Sequence, residues 1–381
     1  MKKNLLLTPG PTQLPAEVCA ALGRPIIHHR TPQFQQALKE AVEGLKYIFQ
    51  TKNDVLILTA SGTGGMEASI SNLLSPKDKV ITVEGGKFGE RWTELCKAYG
   101  VDAQVIKVKW GQAVQVSEIK KILAAHKDVK AVFTTLVDTS TGVTSDIKAI
   151  GEVLKDTSAV LVVDAISGLG AVEFRTDEWH ADVVISGSQK GLMLPPGLAF
   201  VSVSPKAWAL MDQSTLPKYY FDLKLARKTA EKADTPFTPA IGIVIALNES
   251  LRLMKSEGIE KLWARYARLA QGIREAGKAI GLSLYADPAC ASNAVTALNV
   301  PAGIDGEKLT KIMRDTHGIT IAGGQGEELK GKIVRICAMG CIDEFDLLAG
   351  IACLEKVLHE MGHKFTLGAG LAAAQKVFNS K

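Results

Sequence analysis

The sequence predicts an α/β protein: a large, mainly parallel sheet domain followed by a smaller C-terminal α+β domain. Three observations carry that expectation. Strand-like and helix-like periods alternate from residue 32 to residue 203, the order that lays parallel strands side by side with crossover helices between them. The run Ala159-Val160-Leu161-Val162-Val163 is apolar at every position up to Asp164, as only a strand covered on both faces permits, so it should be central. At 381 residues the chain exceeds one ordinary hydrophobic core, which favours two domains or one large domain with a lid.

The elements follow in order. From Pro32 to Phe49 apolar residues recur at Phe34, Leu38, Ala41, Leu45 and Ile48, a helical spacing that stops before Lys52-Asn53-Asp54. Residues 55–59 read as a strand, Ser61-Gly62-Thr63-Gly64-Gly65 as a turn, and 66–74 as a helix. Strands at 79–83 and 103–108 flank a helix over 88–99, and a helix over 117–125 leads to a strand at 129–135. A helix over 147–156 precedes the apolar run that ends on Asp164, and strands at 183–187 and 198–203 complete the large sheet. Only a short loop separates that last pair, which leaves the strand from Leu198 an antiparallel option. Residues 217–239 are polar, basic and aromatic-spotted without a long apolar period, and a helix over 241–254 closes the large domain.

The smaller region opens with a long helix over 259–280. It continues with a strand at 292–300, a helix over 306–317, strands about 319–322 and 332–338, and a helix over 345–361. Residues 371–378 suit a docking helix and a frayed extension about equally. The implied boundaries are an N-terminal arm over 1–15, a large domain over 16–255, a small domain over 256–365 and a tail over 366–381.

Composition narrows the function classes. With 46% hydrophobic and 22% charged residues the chain can fill an interior, so disordered and collagen-like readings fail. A net charge of +5 suits anionic small molecules without implying nucleic acid. The sole basic and aromatic stretch, Lys218-Tyr219-Tyr220 with Lys224, Arg227 and Lys228, reads as a loop or active-site rim. The opening Met1-Lys2-Lys3-Asn4 is basic, but the apolar run Leu5-Leu6-Leu7 stops too soon for an export signal. Apolar stretches fall short of the roughly 18 residues a membrane helix needs. Six cysteines at 19, 96, 290, 337, 341 and 353 are spread too widely for a zinc set. The expectation is a soluble, cytoplasmic protein with reduced, mostly buried thiols and no metal site.

Three features fall just past strand ends, where open α/β sheets bind ligands. The Ser61–Gly65 turn offers backbone N–H groups and two hydroxyls at a helix start, a recipe for phosphate, although the same glycines would also serve a tight crossover. It matches neither the Walker nor the dinucleotide pattern. Asp164 leaves a central strand and needs a cation or solvent: a protonated aromatic nitrogen would satisfy it, and so would a helix cap or a nearby base. Lys190, in Ser186-Gly187-Ser188-Gln189-Lys190-Gly191, is either a desolvated amine able to act as a nucleophile or an ordinary surface lysine. Together the three suggest pyridoxal 5'-phosphate, with lysine as covalent tether, carboxylate for the pyridine nitrogen and helix-start amides for the phosphate.

From Thr8-Pro9-Gly10-Pro11 to Arg335 the chain resembles the class V aminotransferases of fold type I, and within them the alanine-glyoxylate and serine-glyoxylate (serine-pyruvate) group. The resemblance implies that Ser61-Gly62-Thr63-Gly64 holds the phosphate, with Thr63 as hydroxyl ligand. In Gly86-Lys87-Phe88-Gly89-Glu90-Arg91 it makes Phe88 the aromatic stacked on the pyridine ring. Asp138-Thr139-Ser140-Thr141-Gly142 stands where the family has a segment opening on Glu, which places Thr139 beside the phenolic oxygen and leaves a shorter acid at Asp138. Asp164 and Lys190 take the ring-nitrogen and tether positions, and Gln189 is the phosphate-side neighbour. The pair Gln189-Lys190 followed by Pro195-Pro196-Gly197 is specific for this group. Thr238, in Thr235-Pro236-Phe237-Thr238-Pro239, corresponds to a threonine that reaches the partner subunit's phosphate, which implies a homodimer with shared active sites. Arg335, in Val334-Arg335-Ile336, corresponds to the arginine that takes the substrate carboxylate.

The pocket edge formed by Gly10-Pro11-Thr12 and Gly323-Gly324-Gln325 has little bulk. A second arginine for a distal carboxylate is not obvious, with His28, His29 and Arg30 the only substitutes in view. The implied reaction therefore moves an amino group from alanine or serine to glyoxylate or pyruvate, with ping-pong kinetics. The alternatives are an aspartate- or aminophosphonate-using transaminase, a lyase of the same fold, and a non-catalytic ligand-binding subunit.

Overall fold

The computed structural model describes residues 4–380. Residues 1–3, where the basic opening and the expected arm begin, and residue 381 at the end of the tail lie outside the described residues. The main sheet has seven strands in the order Asp54–Leu58, Ala199–Val203, Val183–Gly187, Val160–Asp164, Ala131–Thr135, Lys79–Glu84, Asp102–Lys107. The all-apolar strand is the fourth of the seven, with every residue buried. Alternation along it splits the interior: Leu161 and Val163 enter one core, and Val160 and Val162 enter the other. The helices Pro32–Phe49 and Ile241–Glu257 contribute to the first core, while Gly62–Leu73, Lys87–Ala98 and Pro205–Met211 contribute to the second.

Ala199–Val203 runs antiparallel to both its neighbours, while the remaining pairs in this sheet are parallel. The connection through Lys190 is too short for a helical crossover, so the chain must turn back on itself. The glycines at 62, 64 and 65 are not a turn preceding a helix from residue 66, as expected. They are the first turns of the helix Gly62–Leu73, which brings the helix start closer to the end of Asp54–Leu58.

A smaller sheet pairs Ile333–Cys337 antiparallel with Val295–Asn299 and Ala322–Gly323. The single strand expected about 319–322 is divided: Ile319–Thr320 pairs instead, in parallel, with Leu5–Leu6 of the arm. The stretch read as a loop over 217–239 contains the helix Leu223–Ala230, capped by Asp222 and anchored by Leu223 and Ala226. Two buried residues are too few to set a visible period. The short helices Ala16–Leu22 and Pro205–Met211 were also not foreseen, although Ser204 before Pro205 is a start signal.

Of the two readings for the tail, the docked helix is observed. Ala369–Phe378 packs on Ile259–Ala279, with Phe378 against Gly272, where a Cβ would collide with the ring. Glu355 accepts the amides of Gly368, Gly370 and Leu371 at 2.6, 2.7 and 3.1 Å, which ties the tail to the helix Glu344–Glu360. All six cysteines are free, but the expectation of mostly buried thiols needs correction. Cys96, Cys337 and Cys353 are buried, Cys290 is half-buried, and Cys19 and Cys341 are exposed. Among the described residues no helix is long and apolar enough to cross a membrane.

Candidate active site

The loop after Val183–Gly187 carries Gln189 and Lys190, and the N-terminal arm clamps it. Thr12 donates its amide to the Gln189 carbonyl at 3.2 Å and its hydroxyl to the Lys190 carbonyl at 2.9 Å. Lys190 Nζ donates to the Pro9 carbonyl. Gly10, at φ +111°, lies against the lysine side chain, where a Cβ would strike it. The same arm is stitched to the smaller sheet, since Cys337 donates its amide to the Leu7 carbonyl at 2.9 Å and Leu7 donates to the Thr320 carbonyl at 2.9 Å. The arm therefore joins the lysine loop to the strand that carries Arg335.

Burial pulls the Lys190 amine down to about 8, with Asp164 acting to raise it and Arg335 and Arg91 to lower it. Cys337 also lies within electrostatic reach, but burial pushes its thiol up to about 12, so it is uncharged where the amine titrates. An amine of this kind is a nucleophile and a base near neutrality, unlike a solvated lysine.

Asp164 ends the central strand and is 3% exposed. Its carboxylate accepts the Ile166 amide at 2.9 Å, and among the described residues no cation lies within ion-pair distance. Burial pushes it up to about 7, with Asp138 adding to the rise and Arg91 and Lys190 opposing it. Such an acid calls for a cationic partner.

Asp138 is buried as well, but its oxygens are taken. It accepts the Phe88 and Gly89 amides at 3.1 Å each, and the Ser140 amide and hydroxyl at 3.0 and 2.5 Å. It thereby caps the helix Lys87–Ala98 that carries Phe88, which is half-buried.

Arg335, on Ile333–Cys337, is 4% exposed. Its guanidinium donates to the Gly323 carbonyl at 2.8 Å and the Thr139 carbonyl at 2.7 Å, with no carboxylate within 4.0 Å among the described residues. Burial pulls it down to about 10. The fork thus has donors to spare for an incoming carboxylate. Thr139 meets it through its backbone carbonyl.

Ser61 is exposed and precedes the helix Gly62–Leu73 without a side-chain cap bond. Gly62 packs on Ile166, two residues past Asp164, and Thr63 accepts a hydrogen bond from Arg91 at 3.2 Å. Thr238 is exposed and lines a cleft with Leu58, Thr59 and Tyr220, and it does not cap the following helix, whose N-cap is Ala240. Arg30 pairs with Asp234, and the rings of His28 and His29 lie 4.6 Å apart.

The residues present suit pyridoxal phosphate on three observations. The buried Oε1 of Gln189, beside Lys190, has no hydrogen-bond partner, so nothing holds this amide from turning its NH₂ toward a phosphate oxygen. Asp164 is an acid awaiting a cation. The first two amides of Gly62–Leu73, those of Gly62 and Thr63, lack acceptors within their own helix, while Gly64 donates to the Ser61 carbonyl at 2.8 Å. Sequence reasoning gave Thr12 a place only at the pocket edge, not as a clamp, and assigned no part to Arg91. Thr12 lies 178 positions from its partner, and only Arg91 carried a local signal, as the last residue of the aromatic stretch.

The Aminotransferase class-V family model matches residues 5–331. The chain is 47% identical to a protein named soluble hydrogenase, small subunit, from Synechococcus sp., over 99% of each chain. It is 38% identical to the L-aspartate–glyoxylate aminotransferase of Paracoccus denitrificans, over 98% of this chain and 96% of that one. Among solved structures, the ureidoglycine-glyoxylate aminotransferase of Bacillus subtilis superposes with a TM-score of 0.94 at 30% identity, over 100% of this chain and 99% of that one. With its sheet order, its lysine loop and a family match across most of its length in agreement, the chain belongs to the class-V aminotransferases, a family that depends on pyridoxal phosphate.

Proposed function

We propose that this aminotransferase moves the amino group of a small amino acid, alanine or serine, to a small 2-oxo acid, glyoxylate or pyruvate. The observation that carries the reading is the desolvated amine of Lys190, on a half-buried side chain, set in the field of a buried acid without a counter-ion and a buried guanidinium without a carboxylate. Pyridoxal phosphate, when bound, supplies an aldehyde that takes up the amino group and a ring that draws electrons from the substrate Cα.

The chain's own residues do the rest. Lys190 would tether the group and serve as base: neutral above about 8, its amine can accept a proton from the substrate Cα. Asp164 would hold a proton on the ring nitrogen, each charge stabilising the other in a site of low dielectric. Arg335 orients the substrate by its carboxylate. Thr63 and the helix start at Ser61 and Gly62 would hold the phosphate with Gln189 beside them, Phe88 would support the ring, and Thr139 would serve the phenolic oxygen. Gly10 forms the small edge of the substrate pocket. Thr238, exposed in one protomer, reaches the phosphate held by a second copy, so the active unit is a homodimer. Six free thiols fit a cytoplasmic setting.

Glyoxylate as acceptor is supported by its place in the names of two relatives above. A small donor is supported by Gly10, which closes the pocket edge against the Lys190 side chain. The test offers alanine, serine, aspartate and 2-aminoethylphosphonate with glyoxylate or pyruvate while the visible absorbance of the loaded protein is followed. Alanine or serine should convert it fastest, with parallel lines in double-reciprocal plots. Preference for aspartate or the phosphonate overturns the small-donor reading, and no conversion by any donor overturns transamination.

A further inference from the structure

The stretch Gly86–Arg91 holds one charged group that no role above uses. Lys87 pairs with Glu90 at 2.5 Å, but Arg91 has no carboxylate within 4.0 Å among the described residues. It makes two other contacts. Its NH1 donates to Thr63 Oγ1 at 3.2 Å, and its guanidinium carbon lies 5.1 Å from the centre of the Phe88 ring. Phe88 stands one turn earlier on the same helix, so the cation and the ring share a face.

The direction of the first contact matters. A guanidinium only donates, so in this pair the threonine oxygen is the acceptor. The hydroxyl proton of Thr63 is then free to point at a different acceptor. Thr63 sits in the first turn of Gly62–Leu73, where the amides of Gly62 and Thr63 precede the first intrahelical acceptor while that of Gly64 donates to the Ser61 carbonyl, and an anion there would receive the hydroxyl and the two leading amides. Arg91 thus settles the orientation of the hydroxyl proposed to hold the phosphate and supports the ring proposed to lie on the pyridine. Its charge also lowers the pKa values of Asp164 and Lys190, which places it in the field of the same site.

We infer that Arg91 is a positioning residue that makes the site prefer a phosphorylated pyridoxal over an unphosphorylated one, by fixing Thr63 as a donor toward the phosphate. This rests on the cofactor reading given above. Cofactor-free protein is titrated with pyridoxal 5'-phosphate and, separately, with pyridoxal, and binding is followed by tryptophan fluorescence and visible absorbance. Arg91→Met should weaken binding of the phosphorylated form by about tenfold to hundredfold, the range of a charge-assisted hydrogen bond, with a much smaller change for pyridoxal. Arg91→Lys should restore part of the difference.

Thr63→Val reads the same contact without touching the helix Lys87–Ala98. It should lower the ratio of the two affinities, and the double variant should lose little more than either single one. An unchanged ratio in Arg91→Met or Thr63→Val, or fully additive losses, overturns the inference. A wild-type chain that binds pyridoxal 5'-phosphate no better than pyridoxal overturns it too. A wild-type chain that binds neither overturns the cofactor reading and the inference with it.

Discussion

Asp138 and Asp164 are both buried acids at the carboxyl side of the main sheet, yet they are held in opposite ways. Asp138 receives four hydrogen bonds from the start of a helix and from Ser140, while Asp164 receives one backbone amide. Burial raises the pKa of both, but around Asp138 four donors pull it back. A buried carboxylate with its lone pairs filled is scaffolding, because removing it strands the donors. One left nearly bare costs the fold stability and is retained for something it will bind. Glu355 falls on the Asp138 side of this contrast, with three amides closing the tail onto its oxygens.

Substitution should separate the two kinds of acid. Asp164→Asn should lower turnover by about 10²–10³-fold, the usual cost of removing a preorganised electrostatic group, while leaving the cofactor-free protein at least as stable as wild type. Asp138→Asn should do the reverse in order of severity, lowering stability by about 1–3 kcal/mol before any effect specific to turnover, since its amide nitrogen would face N–H donors. Thermal unfolding of the cofactor-free proteins alongside steady-state rates checks the pair. A strongly destabilised Asp164→Asn would erase the distinction.

The smaller effect belongs to the tail. Glu355→Gln keeps shape but loses the charge that draws three amides, and should cost about 1–2 kcal/mol. Residues 369–378 should then exchange amide hydrogens faster while turnover stays near wild type. A fall in turnover that matches Asp164→Asn would mean that the tail is coupled to the lysine site.

The contrast also explains what could be read from the chain alone. Asp164 was legible because the run before it is apolar at every position, which fixes both its strand and its depth. Lys190 was legible only beside the Ser61–Gly65 turn, Asp164 and the family resemblance, because alone it reads equally as an ordinary surface lysine. The helices Pro32–Phe49 and Gly306–His317 were legible to the residue, having clear starts at Thr31 and Asp305. Asp138 as a cap, Thr12 as a clamp and Glu355 as a tail anchor were not, because their partners lie far along the chain or are backbone groups that carry no side-chain signature. Leu223–Ala230 escaped because only two of its residues are buried. The split of residues 319–323 between two sheets depends on where the arm lands, which no local pattern records.

The central claim is that Lys190 is a desolvated amine neutral enough to attack an aldehyde, and the rate at which cofactor-free protein takes up pyridoxal phosphate tests it most directly. The folded amine sits at about 8, below the ordinary value of 10.5, so the reactive neutral form is scarce at lower pH and dominates above about 8. Uptake should therefore climb as pH rises through about 8 and then level, and Lys190→Ala should show none of it. Uptake that climbs only near pH 10.5, or that persists in Lys190→Ala, would contradict the account.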